Sequence, residues 1–348
     1  MSGSDASLRH AANRALVDGL RAAMYDWTPD GVQTALGDAF TADAVVQLAH
    51  PFETLDGPTG FYGEALAPLA AAWPDIERRD TISVSGTTAE GHDWVGSAGY
   101  YTGTFANSWL GIPPTGRQVA MRFHEFHRVV DGRIVEMQAL WDLPEVMMQA
   151  GVWPMGPSLG RDWQVPAPAT VDGLVDRFDD VDRSATSLDV VRRMLGDMGR
   201  HPQEPAGAMN LEQYWHPKVS WYGPAGIGTA RGIDGFRRHH QIPFLAALPD
   251  RAGGYRREDG SSSNFWASGD YVAVTAWPGM SATVAGSGWL GIAPTGTEIT
   301  MRSLDFWRVE RQTDGTDLIR ENWVLVDLLH VWHQLGIDVL ARMSELAG

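Results

Sequence analysis

The chain has 348 residues, 44% hydrophobic and 20% charged, an ordinary globular composition with room for two full cores. Its formal net charge of -16 argues against nucleic acid or an anionic membrane surface as partner, because both select a basic face. The absence of cysteine excludes disulfides, thiolate nucleophiles, iron–sulfur clusters and cysteine-ligated zinc. The N-terminus MSGSDASLRH lacks the apolar core of a signal peptide, and no run is long enough to span a bilayer, so a cytoplasmic protein is expected.

Residues 8–25 carry helical spacing in Leu8, Ala12, Leu16, Leu20 and Met24. A short strand and a Gly-containing turn follow, then a helix around 60–72. Long strands are predicted over 92–105 and 118–130, joined through SWLGIPPTG (108–116). The turn dipeptide Asp131-Gly132 leads into a last strand, RIVEMQALWDL, and a C-terminal helix. The stretch from 155 to 185 is first rich in Pro and Gly, then acidic, as linkers are.

The same order then begins again. A helix is predicted around 187–199 (Leu188, Val191, Leu195, Met198), another at 235–247, and strands at 264–277 and 298–309. GWLGIAPTG (288–296) repeats SWLGIPPTG. Met301-Arg302 repeats Met121-Arg122, and Phe306-x-Arg308-Val309 repeats Phe126-x-Arg128-Val129. LIRENWVLVDL (318–328) follows Asp314-Gly315 as RIVEMQALWDL follows Asp131-Gly132. Upstream, Gly232-x-x-Gly235-Phe236 matches Gly57-x-x-Gly60-Phe61, and Leu248-Pro249-Asp250 matches Trp73-Pro74-Asp75. A motif reused for chemistry would not bring its flanking turns along, so a whole domain is duplicated. The expected division is 1–160, a linker over 161–183, and 184–348. Each half reads as helices first and then an antiparallel sheet, an α+β architecture.

The phrase W-L-G-I-x-P-T-G, then a strand, a D-G turn, D-L and a Q-x-G helix, resembles the SnoaL-like polyketide cyclases of the nuclear transport factor 2-like superfamily. The resemblance covers the second half of each repeat by motif and the first half by layout. It implies two tandem cone-shaped α+β barrels, each a curved sheet wrapped around helices with a deep apolar pocket. It also implies intramolecular aldol cyclisation of a polyketide-type ester by acid–base chemistry without a cofactor. Other superfamily members bind, isomerise or hydrate small molecules, so fold alone does not decide function. Pairing of family members through their sheets implies an intrachain pseudo-dimer here, with further homo-oligomerisation optional.

An aldol closure needs a base beside a carbonyl and a donor for the oxyanion. The family's acid/base, an aspartate ending the last strand, maps onto Asp327 and Asp142. Strand parity puts Glu321, Trp323, Leu325 and Asp327 on one face, and Glu136, Gln138, Leu140 and Asp142 on the equivalent one. If that face lines the pocket, it carries two carboxylates. Both aspartates equally suit helix N-caps, with Pro144 in the first turn of the following helix. The preceding strand offers Glu125 and His127 in the first half and Asp305 and Trp307 in the second, either beside the pocket or as solvated charges. Arg302 and its counterpart Arg122 could anchor an ester or carboxylate, or pair with Glu321 and Glu136. The candidate substrate-binding set is thus Trp323, Glu321, Asp305, Trp307, Arg302, Gln138, Glu125 and His127. His330 and His333 lie one helical turn apart with no third ligand, so no metal is expected.

Three functions remain open at this level: a cofactor-free cyclase, lyase or isomerase; a non-catalytic small-molecule-binding protein; and a hydrolase with a carboxylate-positioned water. The lack of G-x-S-x-G, P-loop and dinucleotide motifs disfavours serine-hydrolase, kinase and nicotinamide chemistry. The second half, closer to the family pattern at Glu321-Asn322-Trp323, is the better candidate for activity if only one half acts.

Overall fold

The computed structural model describes residues 3–162, 164–201, 203–253 and 263–347. The chain forms two compact units. One comprises Met1–Pro154, Pro166–Asp179 and Asp338–Gly348, and the other Met155–Val165 and Asp180–Ile337. The stretch read as a linker is therefore shared between the units, and helix α6 begins inside it at Val181. Trp163, within that stretch, lies outside the described residues.

In the first unit, α1 (Gly3–Tyr25) and α2 (Pro29–Ala39) precede β1 (Phe40–Leu48) and β2 (Glu53–Asp56). Thr28 caps α2 by accepting from the Gly31 N–H, and Pro29 opens its first turn. A continuous helical run follows: α3 (Gly57–Gly60), a π-turn (Phe61–Leu66) and α4 (Ala67–Ala72). Strands β3 (Glu77–Thr87), β4 (Asp93–Thr104), β5 (Gln118–Val130) and β6 (Arg133–Trp141) then lead to α5 (Leu143–Gln149). The six strands are ordered β2-β1-β6-β5-β4-β3. The sheet is mostly antiparallel, but β1 runs parallel to β6, because the chain between them crosses from one end of the sheet to the other. The sheet is open, with β2 and β3 as edges, so the architecture is a curved sheet around helices and not a closed barrel.

The α1 stripe is rotated from the expected one: Leu8 is 70% exposed, and Asn13, Arg14, Val17, Leu20 and Met24 are buried. Arg14 explains the shift, since its guanidinium donates to the carbonyls of Ser83 and Leu174 and draws that face inward.

The second unit repeats the plan with α6 (Val181–Met198), α7 (Leu211–Tyr214), β7 (Trp215–Tyr222), β8 (Thr229–Arg231), α8 (Gly232–Phe236), a π-turn (Arg237–Gln241) and α9 (Ile242–Ala247). Then come β9 (Ala252–Gly253), β10 (Asn264–Ser268), β11 (Tyr271–Thr283), β12 (Glu298–Arg311), β13 (Asp317–Val326) and α10 (Leu328–Gln334). Helix α11 (Val339–Ala347) belongs to the first unit. The sheet order is β10-β11-β12-β13-β7-β8, with β9 also on β11. Residues 264–277 form a hairpin and not one strand, because Gly269 adopts positive φ and turns the chain.

The repeated phrase joins β4 to β5 and β11 to β12. In the first copy Trp109 and Ile112 exchange backbone hydrogen bonds around Leu110 and Gly111, both at positive φ, the geometry of a tight two-residue hairpin. Asp131-Gly132 is a second such turn between Val130 and Arg133. Arg183 fastens α6 to the second sheet through Asp270, Asp317 and the Val309 carbonyl.

At Thr81 the β3–β4 register slips by one residue opposite Gly99. A Cβ on Gly99 would stand 2.1 Å from the Arg79 carbonyl oxygen. Gly99→Ala is expected to destabilise the first unit by about 2 kcal/mol or more, read as a lower urea midpoint in its unfolding transition.

Candidate functional site

The sequence equivalences, combined with the strand registers, superpose the two interiors residue by residue. Met121 corresponds to Met301, so Phe123, Glu125 and His127 correspond to Ser303, Asp305 and Trp307. Tyr101 pairs with Met121 and Met280 with Met301, which matches Tyr101 to Met280. Trp141 pairs with Phe123 and Val326 with Ser303, which matches Trp141 to Val326. Arg78 pairs with Tyr101 and Gly253 with Met280, which matches Arg78 to Gly253.

In the first unit these residues close around a buried carboxylate. Glu125 is 0% exposed and ion-paired with Arg78. Its Oε1 accepts from the Tyr101 hydroxyl at 3.0 Å and the Trp141 indole N–H at 3.0 Å. Arg78 also donates to Asp80 at 2.8 Å and lies over the Phe123 ring at 4.3 Å. Burial pushes the Tyr101 hydroxyl well above its ordinary pKa, so it remains a donor. Tyr101, Phe123, Trp141, Phe52 and Phe61 pack ring against ring beside the carboxylate, in edge-to-face and tilted pairs. Glu125 is a structural ion, with both oxygens engaged.

In the second unit all three donors to the carboxyl are replaced. Gly253, Met280 and Val326 stand where Arg78, Tyr101 and Trp141 stand in the first, and Ser303 replaces Phe123. The lost aromatic volume lies along a cavity of about 630 Å³, whose lining includes Met280, Ser303, Asp305 and Val326. Trp215, Trp221, Phe236, Phe244, Trp289 and Trp307 supply its aromatic walls. Asp305 lines it with no donor to its Oδ1. Burial alone raises the Asp305 carboxyl well above the usual carboxylate range.

His240 lies on the π-turn, where the first unit has Ala65, the fifth residue of its own π-turn. Its ring stacks on Trp221 at 4.3 Å and lines the cavity, and its Nδ1 has no partner. Burial, with the charge of Arg251 secondary, lowers its pKa to about 3, so the ring is neutral. Arg251 completes the polar lining.

The register corrects the expected pocket face. The cavity side of β12 carries Met301, Ser303, Asp305 and Trp307, and that of β13 carries Asn322, Val324 and Val326. Glu321 and Trp323 alternate with these and lie on the opposite face. There Glu321 accepts from Arg308 at 2.6 Å and Trp323 packs against Tyr222. Asp327 stands at the start of α10, where it accepts from the His330 N–H at 3.1 Å and from Arg302 at 3.4 Å. Arg302 is over the Trp277 ring at 5.0 Å. Asp142 occupies the same junction before α5, 3.4 Å from Arg122. Gln138 and Glu136 share the opposite face of the first sheet, where they hydrogen-bond each other at 2.9 Å. His127 is on the inner face with Glu125, buried against Phe40.

Of the sequence candidates, the structure brings Asp305 and Trp307 together at the cavity. It places Glu125 and His127 at the equivalent closed core, and Asp142, Asp327, Glu321, Trp323, Arg302 and Gln138 off both. His240, Arg251, Ser303 and Asn322 line the cavity without having been singled out for it. The signal for Arg251 was present: Leu248-Pro249-Asp250-Arg251 puts a charge where Trp73-Pro74-Asp75-Ile76 has a core isoleucine. Among the described residues no group of three His, Asp or Glu side chains could hold a metal, and no helix is long and apolar enough to cross a membrane.

Arg78→Met leaves Glu125 buried without its cation. It is expected to cost about 3–5 kcal/mol, with Arg78→Met/Glu125→Leu losing clearly less than the sum of its two single changes in a denaturation cycle. His127, whose pKa burial lowers to about 3, behaves as His240 does. A folded-state pKa below the unfolded value of 6.5 means that each ring's contribution is fully present above that pH and is lost as pH falls toward 3. His127→Leu and His240→Leu should each flatten the fall in urea midpoint between about pH 6.5 and 4.

Two family models match the chain. A SnoaL-like polyketide cyclase model covers residues 20–150, and a SnoaL-like domain model covers 206–316. Solved structures resemble it at low identity. IdmH of Streptomyces antibioticus, assigned as a polyketide cyclase, is 25% identical over 40% of this chain and 98% of its own, with a TM-score of 0.34. A SnoaL-like protein of Jannaschia sp. CCS1 is 24% identical over 40% and 90%, with a TM-score of 0.34. AclR of Streptomyces galilaeus, assigned as a hydroxylase, is 20% identical over 42% and 85%, with a TM-score of 0.35. No curated protein matches at a significant level. With two family models in tandem on two copies of one α+β plan, the chain belongs to the SnoaL-like family, as a two-copy member.

Proposed function

We propose that the second copy is a cofactor-free acid–base enzyme of cyclase or isomerase type, acting on a small ring-forming or cyclic carbonyl compound, and that Asp305 is its acid/base. The observation that carries this reading is Asp305 itself: a carboxyl on the wall of an apolar cavity, stripped of all three donors that neutralise Glu125 in the first copy. Maintaining such a group costs stability, which structural needs do not explain.

The chemistry follows from its environment. A carboxyl raised by desolvation is a stronger base when ionised, and its conjugate acid persists long enough to return the proton. Asp305 would take a proton from the carbon beside a carbonyl. The resulting enolate would attack a second carbonyl or be reprotonated at another carbon. In the first case the alkoxide recovers the proton from Asp305, so the step is proton-neutral. Ser303 and Trp307, which flank Asp305 on the cavity side of β12, would supply donors to the developing oxyanion. The tryptophan-rich walls suit a flat ring and exclude water. The first copy, with Glu125 engaged on both oxygens, serves as a stable partner without turnover.

The test is exchange of α-protons of 1-tetralone in deuterated buffer, followed by NMR. Asp305→Asn is expected to slow protein-catalysed exchange by roughly 10²–10⁴-fold, while Asp327→Asn and Asp142→Asn change it less than about two-fold. Exchange unaffected by Asp305→Asn would leave the cavity as a binding site only.

A further inference from the structure

The cavity holds a second charged group that its chemistry does not require. Arg251 is only 6% exposed, yet among the described residues no carboxylate pairs with it. Its Nη2 donates to the Met198 carbonyl at 2.7 Å, at the C-terminal end of α6. That contact orients the guanidinium and gives it the partial negative charge of a helix end. It leaves Nε buried without an acceptor. Burial lowers the proton affinity of Arg251, with no opposite charge among the described residues to offset it.

Buried arginines ordinarily come with their anion, as Arg78 does with Glu125 and Arg308 with Glu321. Asp305 lines the same cavity but does not fill this role, since among the described residues no ion pair or hydrogen bond joins it to Arg251. The cavity thus carries an acid at Asp305 and a cation at Arg251, with the neutral His240 ring stacked on Trp221 among its aromatic walls. Where Arg251 stands, the first copy has Ile76, buried in its core. The charge and the open cavity thus occur together in the second copy.

Resting on the reading of this cavity as a substrate site, we propose that its substrate carries a carboxylate, and that Arg251 binds it and sets which end of the molecule meets Asp305. A planar guanidinium with free in-plane donors matches a carboxylate, and the apolar surroundings strengthen the pair. Arg251 is a substrate-binding residue here and takes no part in proton transfer.

The test compares 2-naphthoate with 2-naphthamide, the same ring system with and without charge, by quenching of tryptophan fluorescence at neutral pH in the full chain. Wild type is expected to bind the carboxylate at least roughly ten-fold more tightly than the amide. Arg251→Met should abolish that preference while leaving amide affinity within about two-fold, and Arg251→Lys should restore part of it. Asp305→Asn should keep the preference, which separates this proposal from the acid–base assignment. Equal binding of both probes by wild type, or a preference that survives Arg251→Met, overturns the role of Arg251 alone. Failure of both probes to bind overturns the substrate-site reading and this proposal with it. Circular dichroism of Arg251→Met, with Arg251→Lys as the folded control, keeps a folding defect from passing as lost recognition.

Discussion

The structure depends on how a carboxyl at one strand position is compensated. In the first copy Glu125 sits at 0% exposure because Arg78, Tyr101 and Trp141 all converge on it. A buried charge of this kind persists only with its partners in place, so the network fixes β3, β4, β5 and β6 against one another. The second copy keeps an acid at the position and loses every partner. Two copies of one plan therefore differ in a specific physical sense: one uses its inner carboxyl for cohesion, and the other leaves it on the wall of a cavity.

Much of the fold was legible in the sequence. The duplicated W-L-G-I-x-P-T-G phrase, the D-G turns and the constant spacing identified both copies and most strand limits. Turn geometry is local, and Asp131-Gly132 carries the positive φ values that a D-G turn dipeptide implies, whereas the positive φ of Leu110 is not announced by its residue type. The inner face was harder to read. Alternation says which residues share a face but not which face is inside, because both sides of these sheets are largely buried. Glu321, Trp323 and Asp327 were thus grouped correctly by parity and assigned to the wrong side. Asp327 caps α10, as its place before a helix equally suggested.

The cavity was illegible for a different reason. It arises from what is missing: Trp141 to Val326, Phe123 to Ser303, Tyr101 to Met280 and Arg78 to Gly253. Each change is unremarkable alone, and only the paired registers show that the four removed side chains met at one point. The two polar residues at otherwise apolar positions, Arg251 opposite Ile76 and His240 opposite Ala65, lie eleven residues apart, in a π-turn and just before a strand, where polar side chains are commonplace.

This division of labour has an energetic logic. A core that leaves Asp305, His240 and Arg251 with unpartnered atoms gives up stability, since each unmet buried donor or acceptor costs on the order of 1–3 kcal/mol. A single small domain with a margin of roughly 5–15 kcal/mol has little room for three such groups together with an open cavity. Duplication relaxes that constraint if the first copy, with Glu125 fully engaged and an aromatic core packed around it, remains folded independently of what happens in the second. The second copy can then keep an acid and a cation on the wall of one apolar cavity, an arrangement that its described side chains leave uncompensated.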